Sequence, residues 1–130
     1  MSMHVAGPFN SGAAVGGDGV ATANADTPIR ICGWVVGIYV KYNDSPPAGT
    51  TDVTVKTKGT SPEPPTYNLL AISNAATSGW FYPRAAVHDT VGAAITGEYT
   101  PLLVDDYLNI VIAQANAADN VDVWLMIEKG

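Results

Sequence analysis

The sequence predicts an all-β protein, an antiparallel β-sandwich of jelly-roll-like form with an extended N-terminal arm. Three observations predict it. Residues 52–58, 107–113 and 121–127 alternate apolar and polar side chains with the period of 2 that a pleated strand imposes. Clusters of Gly, Pro, Asn and Asp punctuate these segments at turn-like intervals. No segment carries a convincing helical periodicity, so six or seven strands in two layers are expected.

Residues 1–28 contain no leucine or isoleucine, and Gly16-Gly17-Asp18-Gly19 breaks regular structure. Such a segment buries little by itself and is expected to be an extended arm, lying on its own sheet or on a neighbouring subunit. Val20 to Asn24 predicts a short strand within it. Residues 29–130 form the sandwich domain. Its longest apolar run, Ile29 to Asn43, reads as a central strand, with Cys32, Trp34, Val36, Ile38, Val40 and Tyr42 on one face. Gly33 and Gly37 point to a bulge or a close backbone approach. Asn43 to Gly49 is a turn. Asp52 to Lys58 predicts a one-sided strand with Val53 and Val55 inward. Gly59 to Pro65 is a proline-rich loop, and Tyr67 to Ser73 another strand. Patterning fades from Asn74 to Pro101, where a long irregular loop is expected. A terminal hairpin follows, Tyr107 to Ala113 and Val121 to Ile127. Its residues Ile110, Ile112, Val121, Val123, Leu125 and Ile127 are expected in the core, with Trp124 and Met126 on the opposite face.

At 130 residues the chain can form one two-layer core without disulfides. Its single cysteine, Cys32, lies among Ile31, Gly33 and Trp34 and reads as a small buried apolar group. Six lysines and arginines against twelve carboxylates give a net charge of −6. That balance argues against nucleic acid and against an anionic membrane surface. No stretch approaches the roughly 20 apolar residues that span a bilayer, and Met1 to Val5 lacks the form of a secretion signal. Production in the cytosol is expected. Charged residues make up only 14% of the chain, so its surface is poorly protected against association.

Catalytic constellations are sparse. His88-Asp89 pairs an imidazole with a carboxylate but brings no nucleophile, and no Gly-x-Ser-x-Gly elbow exists. A non-enzyme is expected. Two histidines and one cysteine, far apart, do not make a zinc site. Asp105-Asp106 and Asp119-Asn120-Val121-Asp122 fall at opposite ends of a hairpin and lack the EF-hand pattern, so no metal is expected. Those residues form turns and strand ends. Pro62-Glu63-Pro64-Pro65 formally matches a Pro-x-x-Pro ligand and reads as a stiffened loop. Asn43-Asp44-Ser45 matches a glycosylation acceptor that has no meaning without secretion.

The most pointed local feature is Gly79-Trp80-Phe81-Tyr82-Pro83-Arg84. Trp, Tyr and Arg dominate interface hot spots, aromatic rings also stack on sugars, and the same side chains could plug one end of a sandwich. This cluster, with Asp52-Val53-Thr54-Val55, His88-Asp89-Thr90-Val91-Gly92-Ala93 and Asp105-Asp106-Tyr107-Leu108, resembles small structural proteins of tailed bacteriophages. Within that group, residues 29 to 128 resemble capsid decoration (cement) proteins. The resemblance implies a homotrimer that sits on the capsid exterior of the virion after synthesis in the host cytoplasm. It implies binding to the major capsid protein near local threefold positions, bridging of capsomers and no cofactor. The candidate partner-binding residues are Met3, His4 and Phe9 in the arm, then Trp80, Phe81, Tyr82, Arg84 and Trp124. The rival reading is a carbohydrate-binding module of a phage fibre. Exposed, coplanar rings at Trp80 and Tyr82 favour sugar, and buried rings favour the decoration protein.

Overall fold

A computed structural model describes residues 2–44, 47–59 and 66–129, and every strand pairing in it is antiparallel. The first sheet runs in the order β1 (Ser2–Asn10), β11 (Val121–Lys129), β3 (Ile31–Tyr42). The far edge of β3 is shared by two short strands, β6 (Gly79–Phe81) and β9 (Leu102–Asp106). The second sheet runs β2 (Ala21–Asp26), β10 (Leu108–Ala115), β4 (Asp52–Thr57), β5 (Asn68–Ile72). A separate two-stranded ribbon joins β7 (Ala85–His88) to β8 (Ala94–Thr100).

The core lies between the two sheets and follows the alternation in the sequence. Val53 and Val55 of β4, Ile110 and Ile112 of β10, and Val121, Val123, Leu125 and Ile127 of β11 are all buried. Each such side chain removed from water is worth about 1.5–3 kcal/mol, which is why the phase of these strands is fixed. The apolar set of β11 meets that of β10 across the sandwich. These strands do not form the expected hairpin: β10 pairs with β2 and β4, whereas β11 pairs with β1 and β3. The turn between them carries the chain from one sheet to the other. Alternation fixes which face of a strand is buried, and it is silent about the strand's neighbour.

β3 changes phase midway. Gly37 pairs with Met126 and Val35 with Ile127, leaving Val36 as an extra residue on β3. Before this bulge Ile31 and Val35 point inward; after it Ile38, Val40 and Tyr42 do. Cys32 and Trp34, expected on the buried face, are therefore exposed. Gly33 holds a φ of 136°, and a Cβ there would come within 2.8 Å of the Ile127 side chain and 2.9 Å of the Glu128 carbonyl. Only glycine fits that crossing.

The N-terminal segment lies on the protein's own sheets, the first of its two expected positions. Residues 2–10 form an edge strand of the first sheet and residues 21–26 an edge strand of the second. Small residues suffice because β1 and β2 each pair with a strand, β11 or β10, whose inward face is apolar. A side-chain network clamps this region. The Asn10 and Asn43 amides both donate to the Asn120 side-chain oxygen at 2.8 Å and to the Asp122 carboxylate at 2.9 and 3.0 Å. It ties β1, the end of β3 and the start of β11 together.

The stretch from 74 to 101, expected to be irregular, contains β6, β7 and β8. Asp89 forms the ribbon's turn, its carboxylate accepting from the amides of Val91 and Ala93 at 3.0 Å. The Pro62–Pro65 motif and Ser45 of the glycosylation pattern lie outside the described residues.

Candidate functional site: the aromatic face of the first sheet

The two outer faces of the sandwich differ in chemistry. On the second sheet one cross-strand row reads Asn24, Val111, Thr54, Ala71, and the next reads Asp26, Asn109, Lys56, Asn68. These are short or polar side chains suited to water. Asp26 is ion-paired with Lys58, and hydrogen bonds from Lys58 and Asn109 hold its carboxyl below the usual carboxylate range.

On the first sheet the corresponding row is aromatic. Tyr39 of β3 pairs with Trp124 of β11 on one side and with Trp80 of β6 on the other. Directly opposed residues share a face, so three rings stand side by side. The Tyr39 and Trp80 centroids are 5.3 Å apart with planes at 60°, and those of Tyr39 and Trp124 are 5.7 Å apart at 64°. Both are tilted geometries that aromatic quadrupoles favour. Tyr82 adds a fourth ring, 6.3 Å from Trp80 and nearly parallel to it at 12°.

The floor beneath Trp80 and Tyr82 is Gly37. A Cβ on it would come within 3.4 Å of the Trp80 ring and 3.3 Å of the Tyr82 ring. The glycine lets both rings lie low across β3. Arg84 fixes the chain beyond β6, its Nη1 donating to the Val36 carbonyl at 3.1 Å and the Pro83 carbonyl at 3.0 Å. The extra residue of the β3 bulge thus anchors the arginine that holds Tyr82 and Pro83 in place.

Val5, Tyr39, Trp80 and Trp124 line a shallow depression of about 260 Å³. Met3 and Val5 of β1 lie opposite Glu128 and Met126 of β11 and extend the face to the sheet edge. Trp80 is 40% exposed, Tyr82 60%, Met3 52% and Val5 55%. The face offers apolar contact and ring stacking.

Of the eight candidate residues, Met3, Trp80, Tyr82 and Trp124 come together here. Arg84 supports them through backbone contacts. His4 is exposed on β1 but alternates to the other side, opposite Ile127. Phe9 and Phe81 depart from expectation as contact residues. Phe9 is buried in the core, and Phe81, opposite Ile38, packs against it. Alternation explains both: Phe81 lies between two outward rings, and Phe9 follows the irregularity in β1 that turns it inward. Tyr39 and Val5 share this face and were not among the candidates. Tyr39 alternates with Ile38 and Val40, a signal sufficient to place it opposite the core.

No protein-family model matches the chain, and neither a curated protein nor a solved structure matches it. Among the described residues no three His, Cys, Asp or Glu side chains cluster to hold a metal ion. The carboxylate of Asp89 serves the ribbon turn and that of Asp105 pairs with Arg30 at 2.8 Å.

Proposed function

We propose that the protein is a structural virion component of the capsid-decoration type, binding the outside of a phage head through the outer face of its first sheet. The observation that supports this reading is the Trp80–Tyr39–Trp124 row. These rings remain outside a sandwich whose core is already filled. Contiguous exposed apolar surface on a soluble domain marks an interaction site, and Trp and Tyr are the residues that concentrate binding energy. The polar second sheet would then face solvent. Function of this kind is binding without chemistry: repeated attachment to the major capsid protein adds buried area between capsomers and resists shell expansion.

Purified protein added to expanded heads is expected to appear by electron microscopy as regular density at stoichiometric occupancy. The Trp80→Ala/Trp124→Ala double variant removes partly exposed rings and is expected to stay folded. It should weaken attachment by about 2 kcal/mol or more, roughly thirtyfold. Heads that gain no density from the wild-type protein overturn the proposal.

The criterion drawn from the sequence, exposed coplanar rings for sugar and buried rings for a decoration protein, comes out on the carbohydrate side. Trp80 and Tyr82 are exposed and nearly parallel, the arrangement a sugar ring stacks on. Against it, the lining of the depression is almost wholly apolar, whereas ligand sites need placed polar groups for orientation. Glycan-array binding that is lost in Tyr82→Ala, together with no attachment to heads, would decide for sugar.

A further inference from the structure

Past its aromatic row, the outer face of the first sheet continues toward the end of β11. Its last row is Met3, Glu128, Trp34 and Leu103, contributed in turn by β1, β11, β3 and β9. Met126, set between Val5 and Gly37, links this row to Trp124 and Tyr39. Met3, Trp34 and Leu103, the apolar members of the last row, are all exposed. Across these three rows Glu128 is the one charged residue.

Glu128 is partly buried, and its carboxylate has no hydrogen bond or ion pair among the described residues. Lys129, the next cation along β11, pairs with Ser2 and alternates to the opposite side. The other end of the face is settled differently. There Asp122 lies opposite Lys41 and accepts hydrogen bonds from the Asn10 and Asn43 amides. A partner that covers the apolar rows therefore takes one unpaired carboxylate out of water, which is costly unless the partner supplies a cation at that point. Trp34, directly across from Glu128, selects the kind of cation, because an indole favours one that can lie flat on its ring.

We propose that Glu128 and Trp34 form a receptor for an arginine side chain of the partner protein, an inference that rests on reading this face as the attachment surface. A guanidinium donates two parallel N–H bonds to a carboxylate and stacks on an indole, which the point charge of a lysine does not do. Its methylene stem packs on apolar neighbours such as Met3 and Met126. Glu128 stands four residues from Trp124 on β11, about 13 Å along the strand. The partner thus presents its arginine at that distance from the apolar group that fills the depression between Val5, Tyr39, Trp80 and Trp124. A pair covered by the partner is screened little by salt, so the receptor is compatible with attachment that tolerates salt.

The test has two arms, both on the full chain. In the first, isotope-labelled protein is titrated with N-acetyl-arginine amide and, as the uncharged analogue, with the citrulline amide, and followed by NMR. The Trp34 indole and Met126 methyl signals should shift saturably with arginine and not with citrulline. Glu128→Gln should remove that response and leave the rest of the spectrum in place, which shows that the variant is folded. In the second arm, Glu128→Gln should weaken attachment to expanded heads about five- to tenfold, and Glu128→Lys should weaken it further. A wild type that does not respond to arginine, or that responds no differently from Glu128→Gln, overturns the inference. Attachment that is unchanged in Glu128→Gln but lost in Trp80→Ala/Trp124→Ala overturns it too, and leaves the capsid reading standing. An arginine response lost in Glu128→Gln, with no attachment of the wild type to heads, supports the receptor and overturns the capsid reading alone.

Discussion

Tyr42 ends β3 with its ring in the core and its hydroxyl buried without a hydrogen-bond partner among the described residues. An unsatisfied buried hydroxyl costs stability, whereas a phenylalanine ring fills the same space at no such cost. Tyr42→Phe is expected to stabilise the protein by about 1 kcal/mol, seen as a raised denaturation midpoint with an unchanged slope. The same burial raises the Tyr42 pKa above 10.0, and burial with the nearby Asp106 charge raises that of Tyr67. Both groups ionise more easily in the unfolded chain. Their contribution is therefore fully present below pH 10 and lost as pH rises through the raised values. Alkaline unfolding curves should show this loss in the wild type and a shallower limb in Tyr42→Phe. At this scale the sequence was legible where alternation was strict, as at Val53 and Ile112. It misled at Cys32 and Trp34, because one bulged residue, Val36, inverts the phase of half a strand.

Among the elements, the β7–β8 ribbon stands apart. It hydrogen-bonds to neither sheet as a strand, and residues 91–99 are all exposed, with Val91 at 86%. A two-stranded ribbon with little burial is marginally stable in water. Amides of Ala94 to Thr100 should exchange with solvent orders of magnitude faster than those of β10 and β11, by hydrogen-exchange mass spectrometry. Equal protection in an isolated monomer would show that the ribbon is held as firmly as the core. The ribbon also explains why residues 74–101 read as irregular. The β8 side chains are almost all exposed and those of β7 at most half-buried, so no inward apolar face imposes a period of 2. The N-terminal strands were hidden for a related reason: β1 and β2 pair at sheet edges, where backbone hydrogen bonds hold a strand that contributes only Phe9 and Ala21 to the core. The pairing partners of β10 and β11 were beyond reach, since a short polar turn can close a hairpin or cross a sandwich.

For the whole molecule, the asymmetry between the two outer faces yields the broadest expectation. If attachment runs through the first sheet, a charge placed there must be desolvated on binding, while the same charge on the second sheet stays in water. Tyr39→Lys is therefore expected to abolish attachment to expanded heads. Thr54→Lys, at the centre of the second sheet's outer row, should leave it within about twofold, as for a surface substitution worth under ~0.5 kcal/mol. Ionic strength provides the complementary measurement. An acidic protein that docked by charge would lose affinity as salt screens the contact. Docking through Trp80, Tyr39, Trp124, Met3 and Val5 should instead hold its affinity, or gain slightly, as salt reduces repulsion from the net charge of −6. Occupancy measured across a salt series with both lysine variants separates the possibilities. Steep salt weakening with equal loss in the two variants would place the contact away from the aromatic face. Salt-tolerant binding lost only in Tyr39→Lys would assign it to the first sheet.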